Sequence, residues 1–223
     1  MIGIEDLVFT YPSGGFRLEI PQLTLRGEER VAVVGPSGTG KTTLLNLVAG
    51  IAVPQSGRVL FHGEEISAQS DRARRSFRAQ QIGFVFQDFA LLDYLTAREN
   101  ILYPYRIAKG TPLDAAAKER AQELAEACGL AGKLDRRPGA LSQGEQQRVA
   151  LCRALIRRPK LILADEATGN LDPANKTAIL DLLFAQTKEV GATLLAVTHD
   201  HDLLPRFDRV VDFAEFRQTE PVT

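Results

Sequence analysis

Apolar residues form short β-prone runs toward both ends of the chain and recur at helical spacing in the middle. Val8-Phe9-Thr10-Tyr11, Phe16 to Ile20 and Arg58-Val59-Leu60-Phe61 have Pro or Gly near their ends, which predicts strands in the first third. Arg30-Val31-Ala32-Val33-Val34 is an apolar run of the kind buried on both faces of a parallel sheet. Residues 41 to 49 read as a helix stopped by Gly50. From about Asp88 to Arg158 the period is helical. Thr111-Pro112-Leu113-Asp114 reads as a capping box with Pro at the first helical position, and Leu113, Ala117, Ala121, Leu124 and Cys128 follow at helical spacing until Gly129. Further on, runs at 161–164 and 193–197 predict strands, with a helix from 175 to 190 between them and Gly191 at its end. Strand–helix alternation around an inserted helical block predicts an α/β core with a helical subdomain.

The composition narrows the function classes. At 223 residues, 44% hydrophobic and 25% charged, the chain has enough apolar surface for one core and is not a disordered sequence. Its 27 basic and 28 acidic residues leave a net charge of −1, so no nucleic-acid partner is expected. Cys128 and Cys152 fall in predicted helices, which fits a reducing compartment. The first residues lack the basic region and cleavage site of a signal peptide, so none is expected. No apolar run reaches the roughly 18 residues of a membrane span; the longest candidate, 44 to 53, is interrupted by Asn46.

Gly35-Pro36-Ser37-Gly38-Thr39-Gly40-Lys41-Thr42 fits G-x-x-x-x-G-K-[ST], between a predicted strand and a predicted helix. In that context glycines let backbone N–H groups curl round phosphate oxygens, and the helix N-terminus adds its positive end. Lys41 then reaches the β- and γ-phosphates, and the Thr42 hydroxyl serves Mg2+. The plainer alternative is a glycine-rich turn. The run at 161–164 leads into Asp165-Glu166 at the C-terminal end of a strand, where open α/β sheets bind ligands. Asp165 is placed for the Mg2+ shell and Glu166 for polarising an attacking water. No N-K-x-D base-reading motif is present, which disfavours a GTPase.

Leu141-Ser142-Gln143-Gly144-Glu145-Gln146-Gln147-Arg148 has two compatible readings. Ser142 and Glu145 form a capping box, and the helix N-terminus they fix is an anion site. This segment resembles the signature of the ATP-binding-cassette (ABC) ATPases, and the other motifs of that family follow in order. Tyr11 matches the aromatic that stacks on adenine, and Gly35 to Thr42, with Thr43, match the phosphate loop. Gln87, after Ile82-Gly83-Phe84-Val85-Phe86, matches the Q-loop glutamine. Asp165 and Glu166 match the Mg2+ and catalytic carboxylates, Asn170-Leu171-Asp172 the D-loop, and His199 the switch histidine.

The resemblance implies a P-loop NTPase core with a parallel sheet, an N-terminal antiparallel β subdomain and an inserted helical subdomain. The chain then divides into a nucleotide-binding core (residues 1–87 and 159–223) and a helical subdomain (88–158). It implies ATP hydrolysis with ATP and Mg2+ as cofactors. Glu166, His199 and Gln87 would act in catalysis, and Thr42, Gln87 and Asp165 at the metal. It implies head-to-tail pairing with a second copy, so that Ser142, Gln143, Gly144, Glu145 and Asp172 serve the partner's nucleotide. It implies an integral membrane permease as second partner, and a cytoplasmic position on the inner face of the membrane. The strings at 82–87, 91–92, 95–97, 99–100 and 168–172 look most like the branch of lipoprotein release, macrolide efflux and cell division. The competing reading is an ATP-gated interaction module with little turnover; Glu166 favours the enzyme.

Three departures stand out. Gln143 replaces the commoner glycine, Ala167 stands where many relatives carry proline, and the C-terminus lacks the usual Asp-Gly hairpin turn. His62 and His201 are expected to be structural. Arg72, Arg74, Arg75 and Arg78 are expected to form a solvated helix face. Phe89, Leu91, Leu92, Tyr94 and Leu95 are either core of the helical block or a docking groove for the membrane partner.

Overall fold

A computed structural model describes residues 1–12, 16–108, 112–169 and 173–216, with the side chains of residues 173 and 174 outside that set. Among the described residues nine strands form two sheets. In the antiparallel sheet β1 (Ile2–Thr10) lies between β2 (Arg17–Leu25) and β4 (Ser56–Phe61), and the short β5 (Glu64–Glu65) follows β4. β2 continues past Ile20, where the sequence pattern ends it. It is an edge strand, which tolerates Pro21, and the pairing with β1 skips Pro21 and Asp6 and resumes at Gln22 and Glu5.

The second sheet is parallel, in the order β6 (Ile82–Val85), β7 (Leu161–Asp165), β8 (Thr193–Val197), β3 (Arg30–Val34), β9 (Arg209–Asp212). It is covered on both faces. Leu161 and Leu163 of β7 join a core with the antiparallel sheet and helix α1 (Lys41–Val48). Ile162 and Ala164 join a core with α3 (Ala97–Ile107), α4 (Ala115–Ala127), α5 (Gln143–Leu155) and α6 (Pro173–Glu189). Each fully buried Leu or Ile here contributes about 1.5–3 kcal/mol, which is why β7 reads as an unbroken apolar run. After β9 a 3-10 turn spans Phe213–Phe216, where the described residues end.

Local details depart from the sequence pattern. The α4 N-cap is Asp114, whose carboxylate accepts from Ala117 N at 2.9 Å. Pro112 and Leu113 therefore precede the helix, three residues of expected helix are lost, and Thr111 lies outside the described residues. A capping box that the pattern did not yield opens α3, where Thr96 and Glu99 cap each other. The arginine run on α2 (Asp71–Gln81) splits. Arg72 and Arg75 are exposed, but Arg74 Nε and Arg78 Nη1 donate to Gly50 O at 3.0 and 2.8 Å. The free carbonyls at the end of α1 attract those cations, so half of the expected solvated face is docked.

A very close approach joins β6 to α5. A β-carbon on Gly83 would lie 2.2 Å from Ala154 O, so only glycine fits. Substituting Gly83→Ala forces strand and helix apart. We expect a loss of about 1–3 kcal/mol or more, read as a fall in the thermal unfolding midpoint. An unchanged midpoint would rule out this close approach.

Candidate functional site

The phosphate loop spans the end of β3 and the start of α1. Gly35, Gly38 and Gly40 hold φ of 149°, 76° and 101°, conformations that glycine takes at little cost. A β-carbon at Gly40 would also come within 2.4 Å of the Phe16 ring. Gly40 caps α1 without a side chain, which leaves the first amides of that helix to an anion. Pro36, Ser37 and Gly38 form the outer curve of the loop, and Thr39 Oγ1 donates back to Pro36 O at 2.9 Å. Lys41 is buried, and its Nζ donates to Gly35 O and Pro36 O, both at 2.8 Å. The ammonium thus sits inside the ring of the loop, where a phosphate oxygen would compete with those carbonyls.

β7 delivers the carboxylates to the same place. Asp165 Oδ2 accepts from Thr42 Oγ1 at 2.9 Å. Burial pushes the Asp165 carboxyl above its ordinary range and the Glu166 charge adds to this, while Thr42 and Lys41 oppose it. Glu166 has φ 47°, a left-handed conformation uncommon for a non-glycine residue. Its N–H donates to Val197 O at 3.0 Å and its carbonyl accepts from Gly169 N at 2.9 Å. Those bonds hold it in place and aim its side chain at β8. There Oε1 lies 3.2 Å from His199 Nδ1, and His199 is exposed. Phosphate loop, Asp165, Glu166 and His199 are therefore brought together at the C-terminal ends of β3, β7 and β8. Gln87 is exposed just beyond β6. Asp172 lies outside the described residues.

Tyr11 shares a hydrogen bond with Thr43 Oγ1 at 3.0 Å, which fixes its exposed ring beside α1. Phe9 and Phe16 support that ring at centroid distances of 4.8 and 5.7 Å. Phe16 was legible only as the start of a strand. Its place over Gly40 depends on the pairing of β2 with β1.

The signature segment lies apart. Ser142 accepts from Glu145 N at 3.3 Å, and Glu145 Oε2 accepts from Ser142 N at 2.9 Å, so the capping box forms. Bonds from Ser142 and Lys133 hold the Glu145 carboxyl below its ordinary range. The α5 N-terminus opens on a cleft of about 410 Å³ lined by Ser142, Gln143, Gly144, Glu145, Arg148 and Asn175. None of the cleft's lining residues belongs to the phosphate loop. A β-carbon on Gly144 would meet its nearest neighbour, Asn175 Oδ1, at an ordinary 3.5 Å. Packing within the chain therefore does not require glycine there, although glycine in a helix costs about 1 kcal/mol.

Two side chains of α5 escaped the sequence reading. Gln147 is fully buried, and its Nε2 donates to Ala167 O at 2.5 Å, in the turn after Glu166; its Oε1 has no partner. Arg153 donates to the carbonyls of Phe89 and Ala90, just after Gln87. Polar residues at packed helix positions were the available signal. Beside this turn is a groove of about 560 Å³ whose lining includes Phe84, Phe86, Ala90, Tyr103, Ile107 and Arg153. The expected apolar cluster divides. Leu95 is buried and Leu91 packs on the core, Phe89 and Leu92 are half-buried, and Tyr94 is exposed.

A family model described as ABC transporter matches residues 18–169. The chain is 44% identical over 194 residues to the lipoprotein-releasing system ATP-binding protein LolD of Pseudomonas fluorescens, across 87% of this chain and 85% of the relative. It is 43% identical over 220 residues to LolD of Geobacter metallireducens, with 97% of each chain covered. Among solved structures, the dimeric structure of MJ0796, a bacterial ABC transporter cassette, is similar at TM-score 0.84 and 33% identity, covering 95% of this chain and 94% of that one. A dimeric post-hydrolysis state of MJ0796 bound to ADP and Pi is similar at TM-score 0.85 and 31% identity, covering 100% and 99%.

The capping geometry at Ser142 makes a stability prediction. Ser142→Ala removes the acceptor for Glu145 N and should cost about 1 kcal/mol, whereas Ser142→Asp should recover most of it. Chemical denaturation of the three proteins measures this. Equal stability of Ala and Ser would show that the cap contributes nothing.

Proposed function

Because the chain belongs to the ABC transporter family, we propose that it is the ATP-hydrolysing subunit that powers a separate integral membrane permease, working as an ATP-bridged pair of identical chains. One arrangement carries the reading: phosphate loop, Thr42–Asp165 pair and Glu166–His199 pair meet at one end of the parallel sheet. Amides of the loop and of α1, with Lys41, bind the phosphates, and Tyr11 stacks on the adenine. Glu166 accepts the proton of the attacking water, and His199, 3.2 Å away, orients that carboxylate and reaches the γ-phosphate. Asp165 Oδ2 and Thr42 Oγ1 form the hard-oxygen pair that suits Mg2+, with Gln87 as a third contributor. Bound there, Mg2+ supplies neutralisation of phosphate charge.

The signature supports pairing. It offers a capped helix N-terminus on a cleft separate from the phosphate loop, and a glycine that its own chain's packing does not require. A γ-phosphate held by a second copy accounts for both, with Ser142, Gln143, Gly144, Glu145 and Asp172 on the partner's side of each nucleotide. The dimeric state of MJ0796 supports this arrangement. No helix among the described residues is long and apolar enough to cross a membrane. We place the chain on the cytoplasmic face, bound to its permease through the groove at Phe84, Phe86 and Ile107. Residues 88–158 then form the helical subdomain that moves with the permease. The LolD relatives favour a permease that releases lipoproteins.

Two experiments test this. Lys41→Ala should abolish ATPase activity and weaken ATP binding; unchanged turnover would remove the phosphate-loop assignment. Glu166→Gln keeps the shape and removes the base, so ATP should stay bound and the dimer persist. Sedimentation with and without ATP-Mg2+ should give a nucleotide-dependent dimer. A variant that stays monomeric at saturating ATP, or turns over like wild type, contradicts the composite site.

A further inference from the structure

Phe89 and Ala90 are consecutive non-glycine residues at φ 63° and 46°. Such backbone persists only where its surroundings hold it. The local bonds are slight: Phe89 N donates to Phe86 O at 3.2 Å and Ala90 N to Asp88 O at 2.7 Å. A further hold comes from across the groove. The guanidinium of Arg153, on α5, donates through Nη2 to Phe89 O at 2.7 Å and through Nη1 to Ala90 O. One rigid planar fork thus grips two successive carbonyls, which a single ammonium does not reproduce.

We propose that Arg153 is a positioning residue that clamps the Phe89–Ala90 turn and thereby sets Gln87 at the nucleotide. The inference rests on the ATPase reading above and deepens it. The clamp occupies a telling place. Ala90 and Arg153 both line the groove assigned to the permease, so a docked element presses on the clamp itself. Next to Arg153, Ala154 presses its carbonyl against β6 at Gly83, so this end of α5 is fixed to the strand that ends just before Gln87. The other end of α5 carries Ser142 and Gly144. Along the same helix Gln147 grips Ala167, after Glu166. A shift of α5 is thus passed to the turns beside Gln87 and Glu166 through side-chain-to-backbone bonds, and Arg153 is the link on the Gln87 side.

The test uses the full chain with ATP-Mg2+. Arg153→Met keeps the stem and removes the fork, and should lower kcat about tenfold or more, the scale of a misplaced catalytic group. The affinity for a fluorescent ATP analogue should change less than about twofold, because Arg153 touches no nucleotide-binding group. Adding Ala90→Gly, which permits the left-handed turn without a clamp, should restore several-fold of the lost kcat. A purely structural role would move the unfolding midpoint and leave the kcat of the folded fraction alone, with no rescue by glycine. Arg153→Lys, which retains the charge, serves where the methionine variant does not fold, with the same split between kcat and affinity expected. Wild-type kcat in these Arg153 variants, or a loss that glycine fails to rescue, overturns the clamp. A wild-type chain without turnover would instead count against the ATPase reading itself.

Discussion

The parallel register of β3, β7 and β8 is the constraint on which the site depends. Val33 and Asp165 both lie opposite Val197 of the strand between them. Within two residues of that level each strand leaves the sheet: Gly35 enters the phosphate loop, Glu166 its strained turn, and His199 faces Glu166. Parallel strands require long crossovers, so residues more than a hundred positions apart in sequence become neighbours. Both faces of the sheet are buried, and a slip of one residue would turn the apolar side chains of β7 from one core to the other. The packing that stabilises the sheet thus also aligns the chemistry.

A second theme is the use of side chains to satisfy backbone groups at junctions. Arg74 and Arg78 bind the carbonyls at the end of α1, and the fully buried Asn100 side chain bonds Leu92, Leu95 and Thr96. Gln147 and Arg153 do the same for the turns after Glu166 and Gln87. A buried carbonyl or amide left alone is costly, so these contacts select one backbone path through each junction. Exposed ion pairs such as Arg58–Glu5 or Arg75–Asp71 are worth at most about 1 kcal/mol each and direct no path.

The antiparallel sheet and α1 share one core with a face of the parallel sheet, and α3 to α6 share the other. The helical block carries Ser142 and Gly144 and one wall of the groove at Tyr103, Ile107 and Arg153. Besides that apolar core, α5 reaches the turns after Glu166 and Gln87 through directional side-chain bonds.

The sequence alone determined the α/β class, most of the strands and helices, and the glycine-rich loop and acidic strand end that make up the candidate site. Those properties are written in local patterns: apolar runs, glycine spacing, and a cap followed three residues later by a carboxylate. Local pattern misplaced the start of α4, because several polar residues near a helix start compete for the cap and the backbone decides among them. It missed Phe16, Gln147 and Arg153, whose partners lie on other elements, and it read Arg74 and Arg78 as solvated when their acceptors are at the end of α1. Only the tertiary structure decided which turns are strained and what holds them, since a left-handed Glu166, Phe89 or Ala90 leaves no mark in composition. The physical reason is range. Propensity and periodicity act within a few residues, whereas a guanidinium reaching a carbonyl more than sixty positions away exists only once the sheet has brought α5 beside β6.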